Sequence, residues 1–210
     1  MSEIKIGRMV VGAVQTNCYF LQNADTNEVI VIDPGDKGKR IYEELTGRGY
    51  RIKAVLLTHG HFDHVMGVDD IRKLADVLVY LGEHEDKLIR SADLNVSAMF
   101  GTPYTTKADK LVKDGEVIEL AGMNIKVIHT PGHTCGSVSY YLEKEGILIC
   151  GDTLFLESVG RTDFPTSSAA ELKDSIREKL FTLPDEVYVY PGHGPTTTIE
   201  HEKINNPFVS

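Results

Sequence analysis

The amino-acid sequence predicts a mixed α/β fold in which helices cover two sheets. Strand-like runs of β-branched and apolar residues come first, then alternate with helical patterns, and return near the end of the chain. This order matches neither a uniform βαβ repeat nor an all-β sandwich. The 210 residues contain no internal repeat, low-complexity tract or long linker, so we expect one domain over residues 1–210.

The predicted elements follow from short apolar runs and from helical spacing of apolar residues. Candidate strands cover Ile4–Val11, Cys18–Gln22, Val29–Asp33, Ala54–Thr58, Val77–Leu81, Ile125–His129, Val138–Leu142, Ile147–Cys150 and Val187–Tyr190. Candidate helices cover Lys39–Arg48, Asp69–Ala75, Glu83–Ile89, Ala169–Leu180 and Ile199–Asn205. Ser91–Lys107 is irregular and either connects two elements or covers a site as a lid. We favour the connector, because irregular segments of moderate length are common.

Composition excludes several classes of protein. The chain is 41% apolar and 25% charged, which is typical of a soluble globular protein and too apolar for disorder. Its apolar runs, such as VIVI and AVLL, fall far below the ~18 residues of a membrane span, and no secretory signal precedes them. The three cysteines form no CxxC pair, so we expect free thiols and a cytoplasmic location. The net charge of -9 argues against a nucleic-acid partner.

Four apolar strand candidates each lead into a short loop that contains possible metal ligands. These segments are AVLLTHGHFDH (54–64), IKVIHTPGH (125–133), ILICGD (147–152) and VYVYPGHG (187–194). Strand ends converge in α/β folds, so we expect the four loops to meet at one edge of the sheets. Glycine and proline in these loops supply the tight turns that such a meeting needs.

The loops contain seven candidate ligands: His59, His61, Asp63, His64, His133, Asp152 and His193. Imidazole and carboxylate bind zinc and other first-row metals, and seven ligands exceed what one tetrahedral ion can use. We therefore predict two divalent ions, most suitably zinc, with iron or manganese as alternatives. A lone histidine is more often structural than a ligand, but packing this many polar groups together is costly without a cation.

The remaining histidines and cysteines give weaker signals. His84 lies among charged residues, and His129 lies within a strand, so both are interpreted as structural. His201 is expected to be exposed. Cys135 could act as a soft ligand or nucleophile, but no adjacent base or second cysteine supports that role, and a small packed residue is the favoured interpretation. Cys150, in an apolar strand, is expected to be buried.

The pattern HxHxDH, followed at a distance by His133, Asp152 and His193, resembles the metallo-β-lactamase-fold hydrolase superfamily. VIVIDPG, TPGHTCGSVSYY, GDTLF, GRTDFP and the terminal NPF are similar to its glyoxalase II-type branch. The resemblance implies an αββα four-layer sandwich. It also implies His59, His61 and His133 on a first metal, Asp63, His64 and His193 on a second, and Asp152 as the bridge. Asp33 resembles the family's buried supporting aspartate, with a plain strand-terminating carboxylate as the alternative.

The function expected from this site is hydrolysis of a small-molecule thioester of the S-acylglutathione type. A metal lowers the pKa of bound water from about 15.7 to about 7, so a hydroxide between the ions is the expected nucleophile, with Asp63 as a catalytic residue that orients it or relays its proton. A thiolate, of pKa about 8.5, departs without a strong acid, whereas an amide nitrogen needs protonation.

Three alternatives remain open at this point. Persulfide dioxygenases of this fold use a single iron and retain much of the motif. Lactones, other esters or β-lactams could be cleaved by the same chemistry. A non-catalytic metal-binding module is the third alternative. No substrate-binding residue is assigned, although Arg161, with Phe155 and Phe164 nearby, could orient substrate or brace its loop, and bracing is favoured.

Overall fold

Two six-stranded sheets form the centre of the computed structural model, which describes residues 3–209. The first sheet contains β1 (Ile4–Val11), β2 (Thr16–Asn23), β3 (Glu28–Ile32), β4 (Arg51–Leu57), β5 (Leu78–Gly82) and β6 (Lys110–Val112), in that order. Its first three strands are antiparallel, and β3 to β6 are parallel.

The second sheet contains β7 (Val117–Leu120), β8 (Met123–His129), β9 (Val138–Leu142), β10 (Ile147–Gly151), β13 (Tyr188–Pro191) and β14 (Thr197–Thr198). Its strand order is β14-β13-β10-β9-β8-β7, and β10 runs parallel to β13 while the other pairs are antiparallel. A small separate hairpin is formed by β11 (Leu154–Phe155) and β12 (Ser158–Val159).

Helices lie on the outside of both sheets. They are α1 (Gly38–Gly47), α2 (Phe62–Val65), α3 (Val68–Leu74), α4 (Asp86–Ile89), α5 (Ala169–Asp174) and α6 (Ile199–Asn205). The Ser168 and Thr198 side chains cap α5 and α6 by accepting hydrogen bonds from backbone N–H groups of the first turn. None of the helices between residues 3 and 209 has the length and apolar character that crossing a bilayer requires.

Three apolar clusters separate four layers. Ile41 of α1 and Ile71 of α3 pack on one face of the first sheet, together with Val55 of β4. The two sheets face each other across a second cluster, and α5 and α6 cover the far face of the second sheet in a third. Burial of these faces drives the stacking, at roughly 25 cal/mol per Å² of apolar surface. The four-layer α/β/β/α sandwich expected from the sequence is therefore confirmed.

The predicted elements agree well with the observed ones, and the misses are short. Ile4–Val11, Val138–Leu142 and Ile199–Asn205 match at both ends. The sequence analysis missed β6, β7, β11, β12, β14 and α2, which have two to four residues each. The predicted helix Ala169–Leu180 is α-helical only to Asp174 and continues as a π-helical turn and a 3₁₀ turn. Such pieces give too little periodicity for a pattern to reveal them.

The favoured interpretation of Cys135 was wrong. Its side chain is exposed, because it lies at the tip of the turn between β8 and β9, whereas the neighbouring Thr134 and Gly136 are buried. Cys150 is buried in β10, as expected. The strands β4, β8, β10 and β13 end at Leu57, His129, Gly151 and Pro191, and the candidate ligands follow these ends.

Candidate metal centre

The structure brings all seven candidate ligands together at one edge of the sheets. Their ligand atoms form three overlapping groups, each within 4.8 Å: His59, His61 and His133; His59, His64 and Asp152; Asp63, His64 and His193. The first and third groups correspond to the two ligand sets implied by the family resemblance. The predicted convergence of four loops is therefore present in the fold.

Asp152 lies at the junction of the groups. One of its oxygens, Oδ1, is 3.4 Å from Nε2 of His64, and the other, Oδ2, is 3.6 Å from Nε2 of His133 and 3.5 Å from Nε2 of His193. A single carboxylate thus reaches imidazoles of both groups. This position suits a bridging ligand.

The donor atoms fit a metal ion because several are buried without a hydrogen-bond partner. Among the described residues, the buried atoms without a hydrogen-bond partner include Nε2 of His59, Nε2 of His64 and Oδ1 of Asp152. Leaving such atoms unpaired costs on the order of 1–3 kcal/mol each, and buried polar groups are normally paired or bind metals. The chemistry of the donors, imidazole nitrogen and carboxylate oxygen, matches zinc and iron.

Asp33 and Thr58 determine how two of the imidazoles present their nitrogens. The Thr58 hydroxyl donates to Oδ2 of Asp33 at 2.6 Å, so its oxygen is free to accept from Nδ1 of His59 at 3.2 Å. Oδ2 of Asp33 also lies 3.0 Å from Nδ1 of His64. Both Nδ1 atoms are therefore donors, and each Nε2 is left facing the site. Asp33 is buried and has a positive φ of 51°, which agrees with the supporting role implied by the family.

Two further contacts orient His133 and Asp63. Nδ1 of His133 donates to the backbone carbonyl of Arg161 at 2.8 Å, which leaves Nε2 facing His61. The Thr16 hydroxyl donates to Oδ2 of Asp63 at 2.9 Å. Hydrogen bonds of this kind fix the tautomer and direction of metal ligands. Sequence analysis missed the Thr16 contact because it joins residues 47 positions apart.

The loop of His193 is held by the start of β2. The backbone N–H of Asn17 donates to the carbonyl of Gly192 at 2.7 Å, and its side-chain amide donates to Pro191 at 2.8 Å. A Cβ at Gly192 would overlap Oδ1 of Asp152, so only glycine lets this loop approach the cluster. The glycine of the PGH turn is thus required by close packing.

Burial and neighbouring charges lower the pKa of some imidazoles in the cluster and raise the pKa of others. Burial, together with the surrounding histidines, lowers the pKa of His59 well below its usual value and that of His61 to about 3, so both are neutral. Burial opposes a charge on His193, but Asp152 and Asp63 outweigh it and raise its pKa to about 9. The carboxylates near His193 therefore need a positive charge, which a proton or a metal cation can supply.

The other histidines lie outside the cluster, as expected. Nε2 of His129 lies 3.0 Å from the carbonyl oxygen of Cys135, and its ring is 5.1 Å from that of the exposed His84. His201 lies 3.0 Å from Glu157 and is partly exposed. None of these three belongs to a possible ligand group within the described part of the chain.

A cavity of about 440 Å³ opens above the cluster, with His61, Asp63, His133, Asp152 and His193 at its polar floor. Its walls contain Phe62, Phe100, Phe155 and Phe164, and three valines, Val14, Val96 and Val159. Val96 and Phe100 belong to the irregular segment Ser91–Lys107, so this segment does more than connect two elements. The sequence analysis considered a site-covering role for this segment but favoured the connector, and it gave no signal for Val96 or Phe100 individually.

Arg161 makes the local contacts that the bracing interpretation predicted. Its guanidinium forms two hydrogen bonds of 2.6 Å to the Asp163 carboxylate, and it lies 4.0 Å from the ring centroid of Phe164. Its backbone carbonyl also supports His133. Arg161 thus orders the loop that borders the cavity.

Comparison with known proteins identifies the class. The family model of the metallo-beta-lactamase superfamily matches residues 11–193. A protein of Bacillus subtilis (strain 168) named "Probable metallo-hydrolase YqgX" is 39% identical over 209 residues, which cover 99% of this chain and 98% of that protein. The hydroxyacylglutathione hydrolase GloC of Haemophilus influenzae is 34% identical, over 95% of each chain. The protein belongs to the metallo-beta-lactamase superfamily.

Solved structures agree with this assignment. The BLEG-1 B3 metallo-beta-lactamase superposes with a TM-score of 0.94 at 38% identity, covering 98% of this chain and 100% of that one. TTHA1623 in a di-iron-bound form gives a TM-score of 0.86 at 34% identity, covering 96% and 99%. The metallo-β-lactamase fold predicted from the sequence is confirmed.

Proposed function

We propose that this protein is a metal-dependent hydrolase that binds two divalent cations and cleaves a thioester. The observation that carries the proposal is the meeting of two ligand groups at Asp152, on the floor of the cavity. The proposed ligands are His59, His61 and His133 for one cation, Asp63, His64 and His193 for the other, and Asp152 for both. Zinc suits this donor set best, the di-iron form of TTHA1623 makes iron the main alternative, and manganese suits the carboxylates.

Divalent cations, when bound, supply Lewis acidity toward a carbonyl oxygen and lower the pKa of water. The side chains of this protein position the water molecule that reacts. Asp63 faces the cavity, and its carboxylate is fixed by the hydrogen bond from Thr16, so it can orient a water molecule or accept its proton. Phe62 and Phe100 border the same cavity and give that side an apolar surface.

A thioester fits the side chains of the cavity better than an amide does. The titratable groups among its described lining residues are members of the ligand set and Arg161, whose guanidinium is paired with Asp163. A dedicated general acid is therefore absent from this lining, and a thiolate is the leaving group that least needs one. The similarity to the hydroxyacylglutathione hydrolase GloC supports the same class of substrate and makes S-acylglutathione the reference compound.

The test is metal analysis of protein purified without added metal, combined with a thioesterase assay. We expect two ions per chain and turnover that chelation abolishes. Asp63→Asn should lower kcat by at least about 100-fold, the size of a general-base contribution, and should release the ion of the Asp63 group while the other ion stays bound. The exposed Asp93→Asn is the matched control and should behave as the unmodified protein.

Each rival predicts a different result. One iron per chain, with oxygen uptake on glutathione persulfide, would indicate the dioxygenase. Faster turnover of a lactone, another ester or a β-lactam than of any thioester would keep the hydrolase and change its substrate; the similarity to BLEG-1 justifies a β-lactam in the panel. A metal-loaded protein inactive on the whole panel would be a metal-binding module. Near-normal thioester turnover by the Asp63 variant would remove that residue from the mechanism.

A further inference from the structure

The walls of the cavity above the ligand cluster are strongly apolar. Phe62 and Phe100 stack on each other, with ring centroids 4.7 Å apart and an interplanar angle of 28°. Phe164 meets His61 edge-on at 5.4 Å, and Phe155 meets His193 in the same way at 6.1 Å. Aromatic faces thus surround the polar floor at three places.

The segment that contributes Phe100 is firmly built. The carbonyl of Asn95 accepts a hydrogen bond from the backbone of Phe62 at 3.0 Å, and the Asn95 amide donates to Tyr104 at 2.8 Å. Asn95 and Ser97 are fully buried. These contacts hold the backbone before Phe100, and the half-exposed Phe100 ring packs on Phe62. Such positioning in advance of substrate reduces the entropic cost of binding.

The cavity offers little to a carboxylate. Outside the candidate ligand cluster, Arg161 is the one cationic side chain among its described lining residues, and two of its N–H groups are already bound by the oxygens of Asp163. One face of this guanidinium is covered by Phe164. Anionic ligands are usually held by unpaired Arg or Lys donors, so a thiol that carries carboxylates, such as glutathione, would have to compete with Asp163 for Arg161.

We propose that this cavity selects thioesters with an apolar acyl group, aromatic or branched aliphatic, on a thiol that carries no carboxylate. The proposal rests on the thioesterase function proposed above and specifies its substrate. The acyl group packs against Phe62, Phe100 and Phe164, while the thioester carbonyl lies at the polar floor. Burial of one such group in an apolar pocket discriminates by about 10- to 200-fold.

Four thioesters test separately the preference for an apolar acyl group and the preference for a thiol without a carboxylate. Lactoyl and phenylacetyl groups are each attached to glutathione and to uncharged N-acetylcysteamine, and kcat/KM is measured with the metal-loaded protein. We expect phenylacetyl to exceed lactoyl by at least about 10-fold on either thiol, and N-acetylcysteamine to serve at least as well as glutathione. Lactoylglutathione as the best of the four would overturn the proposal and leave the thioesterase function standing.

Three variants test the residues themselves. Phe100→Ala should lower the phenylacetyl-to-lactoyl ratio of kcat/KM by about 10-fold, mainly through KM. Phe208→Ala changes an exposed phenylalanine that does not line this cavity and should leave the ratio unchanged. Asp163→Asn removes the carboxylate that pairs with Arg161, so the guanidinium can bind a carboxylate of glutathione. We expect kcat/KM for lactoylglutathione to rise several-fold in this variant. An unchanged ratio in the Phe100 variant would overturn the proposal.

A binding measurement does not depend on turnover. Ketone analogues, in which a methylene group replaces the thioester sulfur, cannot be hydrolysed, and their affinities are measured by titration calorimetry. The phenylacetyl analogue should bind at least about 10-fold more tightly than the lactoyl analogue, and Phe100→Ala should remove this difference. If no thioester is hydrolysed but this preference is found, the thioesterase function fails and the apolar selectivity stands; equal affinities would overturn the selectivity.

Discussion

The Asp33 carboxylate lies 3.0 Å from Nδ1 of His64 and so fixes which nitrogen of that ring faces the metal centre. Asp33→Asn places an amide there, whose N–H₂ group cannot accept from Nδ1. We expect metal affinity to fall by about 10- to 100-fold although no ligand is removed, as measured by competition with a chromophoric chelator. Asp25→Asn, at an exposed turn, is the control. Equal affinity in the two variants would show that Asp33 only terminates its strand.

Glu85 connects the loops after β4 and β8, which carry five of the seven proposed ligands. Its two carboxylate oxygens accept hydrogen bonds, each of 2.8 Å, from the backbone N–H groups of Gly60 and Gly136, and the side chain is fully buried. Glu85→Gln leaves one of these N–H groups facing an amide donor, so the free energy of unfolding should fall by about 1–3 kcal/mol in urea titration. The partly exposed Glu83→Gln should change it by less than about 0.5 kcal/mol. Similar losses in both would contradict this role.

The meeting of the seven candidate ligands could be predicted from the sequence because it follows from residue type and spacing. His59, His61, Asp63 and His64 lie within six positions of one another, and each of the other candidates follows an apolar strand that a simple pattern reveals. The ends of β4, β8, β10 and β13 then bring the loops to one edge of the two sheets. The sequence therefore predicted which residues lie together, but it did not predict the hydrogen bonds that orient them.

The cavity walls and the orienting contacts could not be predicted, because they depend on long-range packing. Phe100 lies at the site through its stacking on Phe62 and through the hydrogen bond between Phe62 and Asn95, and no local periodicity encodes either contact. The same is true of the Thr16 hydroxyl on Asp63. Cys135 was also predicted wrongly: the lack of an adjacent base or second cysteine favoured a small packed residue, whereas its position in the turn exposes it. In such loops the residue type predicts which chemical role a side chain can have, but it does not predict what the side chain contacts or how exposed it is.

Removal of metal should destabilise the whole fold. The proposed ligands come from loops after β4, β8, β10 and β13, which belong to both sheets, and a ligand that binds only the native state at 1,000 times its Kd adds about 4 kcal/mol. For a chain of this size we expect chelation to lower Tm by about 10 °C, measured by differential scanning calorimetry. Adding zinc back should restore Tm. An unchanged Tm in protein shown to be metal-free would contradict a structural contribution of the ions.

A contact far from the site should make stability depend on pH. Oδ2 of Asp109 accepts hydrogen bonds from Arg72 at 2.7 Å and from the backbone of Val79 at 2.9 Å. Partial burial alone would raise the pKa of Asp109, but these two partners outweigh it and hold the pKa below its usual range. The carboxylate therefore stabilises the fold above its unfolded pKa of about 3.9, and this contribution is lost as the pH falls through the lower folded value.

The difference in unfolding free energy between the unmodified protein and Asp109→Asn isolates this effect, because loss of metal at low pH affects both alike. We expect about 0.5–1 kcal/mol at pH 7 and 5 and a smaller difference at pH 3, since the ion pair is partly exposed. Asp185→Asn, which breaks the more exposed pair of Asp185 with Lys203, serves as the comparison and should give a smaller difference at neutral pH. A difference that grows on acidification would mean that the folded pKa of Asp109 is raised, opposite to what its contacts with Arg72 and Val79 predict.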